Sequence, residues 1–185
     1  MIEFALVVPF LALMAFGTAE YGLAWVANNR VEGATSTAAR VGSSTGADPN
    51  ADASVLVALK AALSGEQLAN LQRVVIFKPT DANGSVPTAC LHLTDTLETG
   101  VSGTCNSYSG ATIRSSVVTS DPATTNLGAR DDSWLGASRK DTLAGPPDYI
   151  GVYVRTTYSS KTGALFGDMT ITRTSIYRIQ PDIDG

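Results

Sequence analysis

The chain has 185 residues, of which 16% are charged, and 13 Lys and Arg against 17 Asp and Glu give a formal net charge of −4. This length suits one globular domain plus one additional element. Because neutralising a phosphate backbone needs a basic face, the acidic balance and the lack of any Lys/Arg cluster argue against nucleic acid as a partner.

The chain opens with an apolar run that is long enough to span a bilayer. Between residues 2 and 26 only Glu3 and Glu20 are charged, and a helix of this length covers roughly 37 Å. The run lacks the basic start and the short apolar core of a secretory signal peptide, so we expect it to be retained in the working protein. Pro9 lies inside the run and predicts a local kink.

The helix is predicted to continue beyond the apolar run onto a soluble domain. Small apolar residues recur at alternating spacings of three and four and form one seam, which comprises Ala24, Ala27, Val31, Ala34, Ala38 and Val41. Glycines, serines and a proline then end the helix. The predicted organisation is a transmembrane or filament-core helix at 1–27, its continuation onto the domain at 28–44, and an exported α+β globular domain at 45–185.

The two acids of the apolar run each have two interpretations. In a bundle of parallel helices, Glu3 could pair with the free α-amino group of a neighbouring copy and so fix the register; alternatively, it lies at the water interface and favours its own helix N-terminus. Glu20 could mark the membrane boundary, with Tyr21 and Trp25 as interfacial anchors, or it could be buried between helices and hydrogen-bonded. We favour the register interpretation for Glu3 and the boundary interpretation for Glu20.

Short helices and two strands are predicted at the start of the soluble part. Asp52 is placed to cap a helix that runs to residue 63, and Ser64 with Gln67 matches a capping box for a further turn. Residues 74–77 predict a buried strand, and residues 86–93 predict a second strand.

The chain has two cysteines, Cys90 and Cys105. An even count behind an N-terminal membrane segment favours an exported disulfide, and the alternative is two buried free thiols. A disulfide that closes a loop of this length would stabilise the fold by roughly 3 kcal/mol in the chain-entropy model.

Residues 94–148 show little periodicity and predict long surface loops. Fourteen of the 32 residues at 94–125 are Ser or Thr, which leaves little apolar surface to bury. The cluster at 130–134 predicts a solvated turn in which only Trp134 packs down onto the domain.

Strand patterns return near the end of the chain. Apolar residues alternate with other residues at 150–154, which is typical of a half-buried strand, and 168–179 is rich in β-branched residues. The two segments predict a hairpin. The resulting fold class is α+β, with the long N-terminal helix packed on a small antiparallel sheet of about four strands.

The chain resembles a known family at this N-terminal segment. Two motifs carry the resemblance to TadE-like pseudopilins of the tight-adherence branch of type IV pili: Glu3-Phe4-Ala5-Leu6-Val7-Val8-Pro9-Phe10-Leu11 and Ala19-Glu20-Tyr21-Gly22. The closing stretches 168–172 and 177–181 are similar to the family's final strand.

The resemblance implies a type IV pilin-like fold and several partners. It implies cleavage by a prepilin peptidase ahead of the apolar helix, residence in the inner membrane, and assembly with other copies into an extracellular filament, or the priming of one, by pilus machinery. Pilin-like chains usually carry their acid at the fifth mature position, whereas Glu3 is third here, so we expect either a shifted cut or none. The expected assembly residues are Met1, Glu3, Pro9 and Glu20.

No pattern in the sequence supports an enzyme. The chain has one histidine, His92, and it lacks a Gly-rich phosphate loop, a nucleophile elbow and a paired-Cys zinc motif. We therefore expect no catalytic residue, no cofactor and no metal site, and we interpret His92 as a surface or half-buried strand residue.

Overall fold

The computed structural model describes residues 2–91, 99–115, 131–141, 145–162 and 167–181, without the side chains of residues 2, 3, 5 and 6. Its elements in chain order are α1 (Ile2–Thr45), α2 (Ala51–Ala62), α3 (Glu66–Ala69), β1 (Leu71–Phe77), α4 (Thr88–Leu91), β2 (Cys105–Ser109), α5 (Gly110–Arg114), a 3₁₀ turn (Gly136–Ser138), β3 (Tyr149–Tyr158) and β4 (Met169–Arg178).

The predicted long helix is confirmed as α1, which has 44 residues and contains Pro9. Its small-residue seam packs on the rest of the chain: the five seam positions from Ala24 to Ala38 are buried, and Val41 is half-buried. The helix ends where Gly46 adopts a positive φ of 53° and its amide donates to the carbonyl of Gly42 at 3.3 Å. Glycine adopts this left-handed conformation without the steric cost that other residues meet.

The four strands form one antiparallel sheet in the order β2-β1-β3-β4. The predicted C-terminal hairpin is confirmed, because β3 pairs with β4 along ten residues of each strand. The predicted strand at 74–77 is confirmed as part of β1, which lies between β2 and β3. The α+β prediction is therefore correct.

Both faces of the sheet are covered near β1. On one face Val74 and Ile76 belong to the main core, which they share with the α1 seam and with the apolar side of α2. On the other face Val75 and Phe77 pack with Cys90 and Cys105. The helix that begins in the apolar run is therefore one layer of the core of the domain.

The predicted strand at 86–93 is wrong. Thr88–Leu91 is the short helix α4, and the amide of Cys90 donates to the carbonyl of Pro87 at 2.8 Å. Proline favours the first turn of a helix because its missing N–H has no partner there in any case. The strand position beside β1 belongs instead to β2, and His92 lies outside the described residues.

Both predicted helix caps are also wrong. Asn50 precedes α2, and Asp52 lies inside its first turn with a buried side chain. The turn α3 follows Gly65, which adopts a positive φ of 56°, and no side chain caps it. The carbonyl of Gln67 accepts a hydrogen bond from Thr156 at 3.0 Å, so this turn is fixed by contact with β3 rather than by a capping box.

The prediction of long surface loops at 94–148 is wrong for part of that range. The segment 105–109 is a buried strand. In the turn at 131–134, Asp131 and Trp134 are buried and Asp132 is exposed, so the turn is solvated only in part. The packing of Trp134 onto the domain is confirmed. Residues 94–98, 116–130 and 142–144 lie outside the described residues.

Candidate functional site

The N-terminal part of α1 stands clear of the domain. Every described side chain between Phe4 and Ala19 is exposed or half-exposed. The large apolar side chains that are open to the surroundings here are Phe4, Val7, Val8, Phe10, Leu11, Leu13, Met14 and Phe16. The stretch Val7–Thr45 of α1 is long and apolar enough to cross a membrane. A single apolar surface of this size marks a contact with lipid or with protein.

Among the described side chains of α1, Glu20 is the first that is buried, with 1% of its surface exposed. Its carboxylate accepts hydrogen bonds from the Tyr158 hydroxyl at 2.8 Å, from the Lys161 amide at 2.9 Å and from the Thr162 amide at 3.0 Å. The alternative interpretation, a buried and hydrogen-bonded acid, is therefore correct in part, and the favoured interpretation of Glu20 as a marker of the membrane boundary stays a prediction. The partners lie at the end of β3 and in the loop toward β4 rather than on another helix.

The position of Glu20 follows from the periodicity of α1. It lies four residues before Ala24, so it continues the seam that faces the domain by one further step. This signal was present in the sequence, but the seam as predicted began at Ala24. A carboxylate at the first seam position can be buried because three donors from the domain replace its water.

The surroundings of Tyr158 change the pKa of its hydroxyl. Burial, followed by the hydrogen bond to the Glu20 carboxylate, raises the pKa of Tyr158 to about 12. The phenol therefore keeps its proton and its donor function throughout the physiological range. This contact joins the helix to the C-terminal hairpin at the end of the domain nearest the apolar segment.

Beyond Glu20, α1 runs beside the edge strand β4 in the same direction. Glu32 lies 3.6 Å from the Arg173 guanidinium, and Ser36 shares a 2.9 Å hydrogen bond with the Tyr177 hydroxyl. Near the end of the helix, the Ser43 hydroxyl donates to the carbonyl of Arg178 at 2.5 Å. Contacts thus follow one another from Glu20 to Ser43, and the two buried ones at the ends, Glu20 and Ser43, fix the direction of the apolar segment relative to the domain.

An open groove lies at the base of this contact, between α1 and β4. It has a volume of about 330 Å³. Its lining comprises Tyr21, Ala24, Trp25 and Asn28 of α1 and Met169–Arg173 of β4. Tyr21 and Trp25 are 72% and 60% exposed, so both predicted anchors point away from the core.

A buried polar network organises the opposite side of the domain. Asp52 pairs with the buried guanidinium of Arg139 and accepts hydrogen bonds from Asn106 at 2.6 Å and Tyr108 at 2.9 Å. Arg139 also lies 4.3 Å from the centre of the Trp134 ring. Sequence reasoning missed this network because its members lie far apart in the chain and match no motif.

The predicted disulfide is present, since Cys90 and Cys105 are bonded with an S–S distance of 2.01 Å. It joins α4 to the start of β2 beneath the second face of the sheet. Of the predicted assembly residues, Pro9 is exposed inside α1, whereas Met1 and the side chain of Glu3 lie outside the described residues. Within the described ranges, no group of three or more His, Cys, Asp or Glu side chains could hold a metal ion.

Comparison with known proteins shows a similarity at the N-terminal segment. Residues 1–40 match the family described as TadE-like protein, and this range contains the apolar segment, Glu20 and most of the seam. No curated protein and no solved structure match the chain. TadE-like proteins are components of tight-adherence pilus systems. Over its first 40 residues, this chain is therefore similar to TadE-like proteins.

Proposed function

We propose that the chain is a structural subunit of an extracellular type IV pilus-like filament and assembles through its N-terminal apolar helix. The strongest support is that α1 combines an exposed apolar segment with a fixed attachment of the same helix to the domain. Residues 4–19 carry exposed apolar side chains, and Glu20 then locks the same helix to the domain. A flexible anchor would not need this lock, whereas a subunit that repeats along a filament needs one fixed angle between helix and domain.

The driving force of assembly is the burial of apolar surface. Before assembly, lipid of the inner membrane covers the segment. In the filament, the apolar segments of many copies cover one another, and each Å² removed from water contributes roughly 25 cal/mol relative to solvent exposure. The domains form the outer layer of the filament, where a disulfide suits an oxidising environment.

Glu3 is the single charged residue of the apolar segment before Glu20. In a bundle of parallel helices its carboxylate would be too costly to bury without a partner. We propose that the Glu3 carboxylate pairs with the α-amino group of a neighbouring copy, which is that of Met1 if the chain starts there. This ion pair would set the axial stagger between the two copies. A prepilin peptidase and the pilus assembly machinery are the partners that this function requires.

The chain could serve the same system as a minor pseudopilin that primes or caps the filament. The same helix supports both roles, so abundance distinguishes them. A major subunit dominates the protein content of the filament, whereas a priming or capping subunit is present in a few copies.

A second class of function is a membrane-anchored adhesion or binding domain. The apolar segment of α1 is long enough for a permanent anchor. Glu3→Ala separates the two classes, because an anchor tolerates the change, whereas assembly through Glu3 loses its register contact. The matched control is Glu32→Ala, which removes an exposed acid from the same helix.

The proposal is tested by mass spectrometry of filaments sheared from the cell surface. We expect the intact chain as an abundant component, two hydrogens lighter than its reduced mass because of the disulfide. A low but constant ratio to another subunit would indicate a minor pseudopilin. Retention of the whole population in the membrane fraction would exclude the filament role and leave the anchored domain.

A further inference from the structure

The groove beside Trp25 continues the exposed surface of the apolar segment. Exposed residues follow one side of α1 at alternating spacings of four and three, and this stripe comprises Val7, Leu11, Met14, Thr18, Tyr21 and Trp25. Its last two members are walls of the groove. Residues at these spacings form one continuous stripe along a helix, against which a second helix can pack. This exposed stripe does not end where the domain begins but continues into the groove between α1 and β4.

A bilayer that covers the apolar segment would leave most of this groove outside its hydrocarbon core. The domain contacts α1 from Glu20 onward, so the segment below it comprises residues 2–19, which cover about 27 Å. The hydrocarbon core of a bilayer is roughly 30 Å thick, so this segment spans nearly all of it. The groove lies above that level, beside the domain, and yet its walls include the apolar side chains of Trp25, Met169 and Ile171.

We propose that the groove receives the apolar segment, residues 2–19, of a second copy of this chain. This inference rests on the proposed filament and names the surface of the domain that holds a neighbouring helix. The occupant matches the site in chemistry, because the segment is apolar apart from Glu3 and the surface of the groove is mostly apolar. Its apolar walls are Ala24, Trp25, Met169 and Ile171, and its polar lining residues are Tyr21, Asn28, Thr170, Thr172 and Arg173.

The geometry sets the displacement between the two copies. The groove is centred near residue 25 of α1, and the apolar segment is centred near residue 11. A parallel copy that is shifted by roughly 20 Å along the helix axis therefore places its segment beside the groove. The neighbour's helix then touches α1 on one side and the edge strand β4 on the other, so the domain as well as the helix selects the neighbour.

Cysteine cross-linking of sheared filaments tests this arrangement in the full chain. In a Met169→Cys background, a second cysteine is placed in turn at each position from 4 to 19. The native cysteines are bonded to each other and buried, so they do not interfere. We expect covalent dimers on oxidation that peak every three or four positions, because one face of the neighbour's helix lies against β4.

Leu135→Cys is the matched background. Leu135 is also an exposed apolar residue of the domain, at 49% compared with 38% for Met169, and it follows Trp134, which packs beside the opposite edge strand β2. We expect no periodic dimer pattern from it. Equal dimer yields from both backgrounds, or dimers from neither while filaments still form, would overturn the groove assignment and leave the filament proposal intact.

A substitution at the groove gives a second, independent test. Met169→Asp puts a charge into the apolar contact and is expected to reduce sheared filament about tenfold or more, whereas Leu135→Asp leaves the yield unchanged. The amount of chain in membranes should be equal for both variants. Normal yield from Met169→Asp would contradict the inference, and absence of the wild-type chain from filaments would contradict the proposed function itself.

Discussion

The carboxylate of Glu20 accepts a hydrogen bond from the hydroxyl of Tyr158 at 2.8 Å, across 138 positions of the chain. The same carboxylate accepts two backbone amides of the following loop. One side chain of the N-terminal helix therefore organises the end of the C-terminal hairpin that lies nearest the apolar segment.

Replacement of Glu20 by Ala should loosen this end of the domain. The change leaves the buried Tyr158 hydroxyl and two partly buried backbone amides without their acceptor, so we expect the Tm of the full chain in detergent to fall by about 5 °C or more. Thermal unfolding followed by circular dichroism measures it. Glu32→Ala is the control, because its exposed 3.6 Å pair with Arg173 should matter little. Equal Tm values for the two variants would contradict this role for Glu20.

Because of Tyr158, we expect the folded protein to lose stability at alkaline pH. Its pKa is about 12 in the folded chain against an ordinary value of 10, so the folded state binds the proton more tightly than the unfolded state does. The resulting stabilisation is complete below pH 10 and is lost as the pH rises toward 12. Stability measured in denaturant across this range should fall less steeply for Tyr158→Phe than for the wild type. Parallel curves would show that Tyr158 does not carry this dependence.

The disulfide should make a larger contribution than any single surface contact. It closes a loop with a sequence separation of 15, for which the chain-entropy model gives about 3 kcal/mol. We expect the double variant Cys90→Ala, Cys105→Ala to lose about this free energy of unfolding in urea titrations. The reduced wild type should lose a similar amount. Full stability of the double variant would show that packing around α4, and not the disulfide, stabilises this side of the sheet.

Asp52 and Arg139 form a buried ion pair, and removal of one partner leaves the charge of the other buried and unpaired. Asp52→Ala should therefore cost about 3–5 kcal/mol in the free energy of unfolding. The pair between Lys78 and Asp148, 2.9 Å apart, is the comparison because Lys78 is partly exposed. Lys78→Ala should cost less than about 1 kcal/mol. Similar losses for both variants in chemical denaturation would indicate that Arg139 finds solvent when Asp52 is absent.

Periodicity predicted the parts of the fold in which apolar residues alone decide the structure. The α1 seam from Ala24 and the hairpin of β3 and β4 repeat every three to four or every two residues, so their buried faces are visible in the sequence. The strand β2 could not be recognised in this way. Its residues Asn106 and Ser107 are polar, and they are buried only because Trp134, Asp52 and Asp131 supply hydrogen bonds from distant positions.

The candidate site shows the same division. The apolar segment and its acids were evident from composition, whereas the role of Glu20 depends on donors more than 130 residues away. The groove combines Trp25 with β4, so it exists only after the hairpin has docked on α1. Local patterns therefore predicted the elements, and contacts between distant segments decide how they act together.

The parallel course of α1 and β4 has a mechanical consequence. Contacts between the two elements are spread from the groove residues of α1 to Ser43, and both run in the same direction. Tension applied between the apolar segment and the domain therefore acts along these contacts in shear, so they share the load and must yield together. When a filament that is attached to a surface is pulled, all of these contacts together would resist the separation of each domain from its helix.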